Sequence, residues 1–247
     1  MYGRKIAIIT GASSGIGYEA TLEIDRRFNS LEEIWIIGRN EEKLNALAAK
    51  LHRSVRIIMM DVTKQSDIDA LEGLLDQYEP NIRMLFQSAG EGLHGRFMER
   101  TAKDQTYMID LNCKALTNIA HICIPYMRKG SHMINLASSA GFIPLPSFAV
   151  YGASKAYVLN LSRALNYELA KRRIHVMAVC PGPVDTPFFD KSERYYDDET
   201  FMKFKSLFMN TPKRVAKKAI CDAALYKSVS TDTILITALR FISKLYI

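Results

Sequence analysis

The sequence predicts a doubly wound α/β domain, a parallel sheet of about seven strands with helices on both faces. Two observations predict it. Short apolar runs of strand length alternate with helix-length segments from the start of the chain, and the first run leads directly into a glycine-rich turn and then a helix. The candidate strands are Ile6–Thr10, Ile34–Gly38, Arg56–Met60, Met84–Gln87, His132–Ala137, His175–Cys180 and Thr233–Thr237. Between the first two, Ile16, Ala20, Ile24 and Phe28 recur every four positions and give one stripe to lay on the sheet. Thr101 to Met127 and Ser154 to Lys171 read as long helices with apolar residues beyond one face. No Pro-rich or Gly/Ser linker and no internal repeat divides the chain, so residues 1–247 are expected to form a single domain.

Composition narrows the function. A chain of 247 residues, 48% apolar and 24% charged, can bury a sizeable core, which excludes a small stapled scaffold and a disordered chain. Cys113, Cys123, Cys180 and Cys221 stand in apolar surroundings without a close partner or a histidine cluster, so no disulfide framework and no metal site is expected. The formal charge of +7 suits an anionic ligand, but the basic residues are dispersed and form no nucleic-acid motif. Met1 to Lys5 precede only a short apolar run, and a cytoplasmic location is expected. The segment Thr233 to Ile247, apolar apart from Arg240 and Lys244, reads as buried packing or a subunit contact rather than membrane attachment.

The first strand runs into Thr10-Gly11-Ala12-Ser13-Ser14-Gly15-Ile16-Gly17. The glycines permit a sharp turn and a close approach of backbone to ligand, and the helix that follows offers free N–H groups and its positive dipole end to a pyrophosphate. The second strand ends in Gly38-Arg39, where a doubly wound fold meets the adenosine ribose. A carboxylate there would bond a free ribose hydroxyl, whereas a guanidinium attracts a 2′-phosphate. Gly38 and Arg39 supply no acid and one base, with Ser13 and Ser14 as helpers; a solvated Arg39 is the competing reading.

Ser138 follows the fifth strand, and thirteen residues later comes Tyr151-Gly-Ala-Ser-Lys155. A Tyr and a Lys four apart on a helix share a face. An ammonium beside a phenol lowers the phenol's pKa from near 10 and makes it an acid and base near neutral pH. A nearby hydroxyl can hold the substrate oxygen.

The Gly-x-x-x-Gly-x-Gly spacing, with Ser138, Tyr151 and Lys155 in this order, resembles the short-chain dehydrogenase/reductase family over nearly the whole chain. The resemblance implies a Rossmann-like fold and catalytic roles for Ser138, Tyr151 and Lys155. It implies that Asn112 holds a relay water near the lysine, that Asp61-Val62 meets the adenine, and that Ala89-Gly90 lets backbone approach the cofactor. In Pro181-Gly182-Pro183-Val184-Asp185-Thr186 it makes Thr186 the partner of the nicotinamide carboxamide, and Pro181, Gly182 and Val184 cofactor contacts. It further implies a substrate lid around 183–210 and a homodimer or homotetramer paired through the two long helices. One departure stands out: Gln87-Ser88 replaces the family's Asn-Asn, which puts the bracing of neighbouring strands in doubt.

Phe188, Phe189, Tyr195, Tyr196, Phe201, Phe204 and Phe208, with Met202 and Met209, make the lid segment aromatic well beyond the chain average of 10%. Phe201, Phe204 and Phe208 equally fit a helical core stripe. The expected function is hydride transfer between NADP(H) and a secondary alcohol or ketone with steroid-like or acyl bulk, in the manner of a carbonyl reductase. The alternatives are a catalytically silent dinucleotide-binding regulator and the same chemistry with NAD(H).

Overall fold

The computed structural model describes residues 3–187 and 209–243. Six strands come first, each followed on the chain by a helix or turn: β1 (Lys5–Thr10), β2 (Glu33–Gly38), β3 (Ser54–Met59), β4 (Asn81–Gln87), β5 (Met127–Leu136) and β6 (His175–Cys180). A short β7 (Val229–Thr231) completes the sheet. All are parallel, in the order β3-β2-β1-β4-β5-β6-β7. The order reverses between β1 and β4, and the crevice that opens at their carboxyl ends is where such folds bind ligands.

Alternation along the strands divides the core in two. Ile6, Ile8, Trp35, Ile37, Leu85 and Met133 face α3 (Gln65–Tyr78) and α5 (Ala115–Cys123). Ala7, Ile9, Ile34, Ile36, Phe86 and Met177 face α1 (Gly15–Arg27), α2 (Glu41–Ala48) and α7 (Pro212–Ala224). Both faces are therefore dry, which is why these strands read as continuous apolar runs rather than as alternating ones.

Two expected elements are corrected. The strand expected at Thr233–Thr237 is the start of helix α8 (Ile234–Ile242), because the Thr233 hydroxyl accepts from Ile236 N at 3.2 Å and caps it. The true seventh strand lies just upstream and pairs Val229, Ser230 and Thr231 with Ala178, Val179 and Cys180. The helix expected from Thr101 to Met127 is α4 (Ala102–Ile109), a π turn (Asp110–Lys114) and α5, ending in a 3₁₀ turn at Ile124–Tyr126. Pro125 cannot continue an α-helix, and Met127 already belongs to β5. The second long helix, α6 (Ala149–Glu168), begins earlier than expected and carries both Tyr151 and Lys155.

The aromatic segment from Phe188 to Phe208 lies outside the described residues. Its two flanks meet: Val184 bridges Asn210, Asp185 N donates to the Asn210 carbonyl at 2.9 Å, and Asn210 N donates to the Pro183 carbonyl at 2.9 Å.

Candidate active site

At the amino terminus of α1 the backbone donors are left open. Ser14 occupies the N-cap without a side-chain cap, and no acid stands in the first turn. A helix end with uncapped N–H groups and no competing carboxylate is a receptor for an anion. The turn is also sterically bare. Gly11 has φ 67°, and a Cβ on Gly17 would lie 2.3 Å from Ser88 Oγ and 2.4 Å from the Gly11 carbonyl oxygen. No other residue fits at Gly17.

The Gln87-Ser88 departure turns out to brace the sheet after all. Ser88 Oγ donates to the Thr10 carbonyl at 2.6 Å and joins β4 to β1. Gln87 Nε2 donates to Asn135 Oδ1 at 3.1 Å, and Asn135 Nδ2 donates to Ser162 Oγ on α6 at 3.0 Å. Hydroxyl and longer amide do the work expected of two asparagines.

A cavity of about 550 Å³ opens along the carboxyl edge. Gly11, Ser13, Ser14, Gly15, Ile16, Gly17, Arg39, Asp61, Val62, Ala89 and Gly90 line it on one side, and Ser138, Tyr151, Lys155, Pro181, Gly182, Val184 and Thr186 on the other. The Thr186 methyl lies 3.2 Å from where a Cβ on Gly15 would stand, so the loop after β6 closes over the glycine turn. Arg39 donates to the Tyr107 hydroxyl at 3.0 Å and pairs with Asp61 at 3.7 Å. Burial pushes the Asp61 carboxyl up, but hydrogen bonds from Thr63 and the charges of Arg39 and Lys64 hold it below the ordinary range.

Asn112 alone among the expected site residues does not line the cavity. Its side chain accepts from Glu91 N at 2.9 Å and donates to the Glu91 carbonyl at 2.8 Å and to Ser154 Oγ at 3.0 Å. It clamps the loop after β4 to α6, from within the π turn that sequence spacing does not reveal.

Ser138 is extended at the end of β5 and accepts from Ala140 N at 3.1 Å. Its hydroxyl is hydrogen-bonded to that of Tyr151. Burial is the dominant influence on Tyr151 and pushes its pKa up to about 12, against the Ser138 bond that favours the phenolate. This reverses the expectation that Lys155 lowers it. The Lys155 ammonium donates instead to the Leu136 carbonyl at 2.8 Å and stands 5.8 Å from the centre of the Tyr151 ring. Burial depresses the Lys155 pKa to about 8.

Sequence reasoning missed the apolar wall. Ile143, Leu145 and Phe148, from the turn before α6, line the outer part of the cavity, and Phe148 packs against Tyr151 with ring centres 5.6 Å apart. Ile236 and Leu239 join them from α8, three residues apart on its inner face. Only a helix at 234–242 could bring this pair inward, so assigning a strand there concealed them. Asp232 was also missed; it accepts from Gly182 N at 3.1 Å and from Asn210 Nδ2 at 3.2 Å, and so anchors the loop after β6.

The profile of the short chain dehydrogenase family matches residues 5–197. An uncharacterized oxidoreductase of Staphylococcus epidermidis is 36% identical over 192 residues, covering 76% of this chain and 82% of that protein. A short-chain dehydrogenase from Sphingobium yanoikuyae, solved in complex with NADPH, superposes with a TM-score of 0.81 at 27% identity over 95% of this chain and 90% of that one. A short-chain dehydrogenase/reductase from Burkholderia phymatum, solved with NAD, gives 0.82 at 22% identity over 97% and 92%. The chain belongs to the short-chain dehydrogenase family. It is accordingly an oxidoreductase of alcohol and carbonyl groups that uses a nicotinamide dinucleotide, and the bare glycine turn and uncapped α1 fit that cofactor's pyrophosphate.

The buried ammonium gives a pH signature. The unfolded chain holds the Lys155 proton up to about pH 10.5 and the folded chain only to about 8, so folding stability contributed at this position rises with pH between those values. Thermal unfolding of wild type and Lys155→Met across pH 7 to 10.5 should show the wild type gaining on the variant above pH 8. A constant difference would place the ammonium in a solvated setting.

Proposed function

We propose that the protein is an NADP(H)-dependent carbonyl reductase acting on ketones with steroid-like or acyl apolar bulk. The observation that carries this reading is one cavity with Arg39 at one end, the Ser138–Tyr151 hydrogen bond at the other, and an apolar wall of Ile143, Leu145, Phe148, Ile236 and Leu239 beside the hydroxyls.

When bound, the cofactor supplies a hydride to the carbonyl carbon of the substrate. Ser138 holds the substrate oxygen, and Tyr151 delivers the proton that this oxygen takes up as it becomes a hydroxyl. A phenol held near 12 is protonated at neutral pH, the form a reductase requires in its donor. Lys155, tied by its bond to the Leu136 carbonyl to the strand end that leads to Ser138, would hold the nicotinamide ribose of a bound cofactor, and Thr186 would hold its carboxamide. Asn112 serves this site by fixing Glu91 against α6.

Tyr151→Phe keeps the ring against Phe148 and removes the donor. Ketone reduction, followed by absorbance of the reduced nicotinamide across a panel of apolar ketones and both cofactors, should fall by roughly 10²- to 10⁴-fold with cofactor affinity retained. Retention of most activity would remove Tyr151 as the proton donor, whereas a wild type that reduces no ketone with either cofactor would leave a dinucleotide-binding regulator as the better reading.

Arg39 supports NADP(H) because a charge-assisted bond to a 2′-phosphate is worth roughly 1.5–3 kcal/mol, about ten- to a hundred-fold in affinity. Wild type should bind NADPH more tightly than NADH at fixed ionic strength. The double variant Gly38→Asp/Arg39→Ala should reverse the order. A side chain fits at Gly38, since its nearest neighbours, Leu44 and Ser13, lie 3.5 and 3.6 Å from an added Cβ. Equal wild-type affinities would make Arg39 a surface residue.

Ile109, Tyr157 and Tyr167 are exposed on α4 and α6, and Thr117 and Tyr157 bond across the surface of α5 and α6 at 2.8 Å. This supports a homodimer or homotetramer built on these helices. Light scattering at micromolar concentration should give a multiple of 28.0 kDa; a particle of that mass alone would refute the assembly.

A further inference from the structure

We propose that Tyr107 is a positioning residue for cofactor choice: its hydroxyl holds the Arg39 guanidinium at the adenosine end of the cavity and thereby sets the preference for a 2′-phosphorylated dinucleotide. The inference rests on the reading of Arg39 above and adds to it the residue through which that arginine becomes selective.

Tyr107 lies on α4, one helical turn before Leu111, which lines the cavity. It packs, partly buried, against the core cluster that includes Met60 and Val62, the residues at the end of β3 beside the adenosine site. The ring is thus fixed by packing, and its hydroxyl meets Arg39 Nη1 at 3.0 Å from the far side of the crevice.

Arg39 needs such a partner. More than half of its side chain is exposed, and a long flexible arm in solvent gives up its rotamer freedom when it orders on a ligand. Asp61 does not orient it well, because the pair stands at 3.7 Å, beyond hydrogen-bond distance. A carboxylate also offsets the charge that a phosphate must feel. The Tyr107 hydroxyl is neutral: it takes one N–H of a group that has five, fixes the direction of the fork, and leaves its charge for the ligand.

The experiment is a titration of NADPH and NADH, read by protein fluorescence at fixed ionic strength, into wild type, Tyr107→Phe, Arg39→Ala and the double variant. Phenylalanine keeps the packing on the core, and equal unfolding temperatures for wild type and Tyr107→Phe check that the fold is retained. NADPH affinity should drop about three- to ten-fold in Tyr107→Phe while NADH affinity stays within about two-fold. In the Arg39→Ala background the same change should cost nothing further, because the hydroxyl acts through the guanidinium. An unchanged NADPH-to-NADH ratio in Tyr107→Phe, an equal loss for both cofactors, or an undiminished loss without Arg39 would overturn the proposal while leaving Arg39's role standing. A wild type that binds both cofactors equally would overturn the reading of Arg39 itself, and this proposal with it.

Discussion

The hydrogen bond from Ser88 Oγ to the Thr10 carbonyl holds β1 and β4 together at the point where the sheet reverses its order. Two parallel strands whose connections leave in opposite directions must splay at their carboxyl ends, and this bond limits the splay. It brings Ser88 and Ala89 within van der Waals reach of Gly11 and Gly17, so that a Cβ at either glycine would strike backbone or hydroxyl. The floor of the cofactor cavity follows from that contact together with the bond from Ala89 N to Thr10 Oγ1 at 3.3 Å and the β1–β4 ladder that ends at Thr10 and Gln87. It is narrow enough for backbone N–H groups to converge on a pyrophosphate, and it leaves no room for a side chain to compete with the ligand.

A second set of bonds hangs the chemistry on this floor. Asn112 links the loop after β4 to Ser154, Ser154 Oγ donates to the Tyr151 carbonyl at 2.7 Å, and Lys155 holds the Leu136 carbonyl two residues before Ser138. Gly141 allows the turn after Ser138 to rest on the α6 backbone, where a Cβ would come within 2.7 Å of Ala156 N. Ser138 and Tyr151 come from different elements. They meet because three polar side chains and one glycine fix the distance between those elements.

What was legible in the sequence was local. The glycine turn, the Tyr–Lys interval and the continuous apolar strands are spacings within a few residues, and each reappears in the structure with the geometry its spacing requires. What escaped depends on competition between local rules or on contacts far along the chain. Ile234-Leu235-Ile236 has the composition of a strand, but the Thr233 cap and the inward placement of Ile236 and Leu239 make it a helix. Val229-Ser230-Thr231, polar at two of its three positions, becomes a strand only because the edge of β6 is open to it. Asn112 could be marked as a site residue, but its clamp depends on a π turn that exists only once Glu91 and Ser154 flank it. The Tyr–Lys spacing correctly put both residues on one helix face, yet spacing alone could not weigh burial against charge.

That balance acts on both members of the pair. Lys155 is a buried cation that donates to a neutral carbonyl, that of Leu136, and no carboxylate is among the groups that shift its pKa. Stability alone would favour an apolar side chain of similar length here, since a buried charge without an opposite partner is costly. Tyr151 experiences the same dry surroundings with the opposite consequence, because burial favours its neutral form. One environment therefore holds a proton firmly on the phenol and loosely on the amine beside it. At neutral pH that environment leaves the phenol neutral and the ammonium close to losing its proton, so burial rather than charge sets the resting state of the pair.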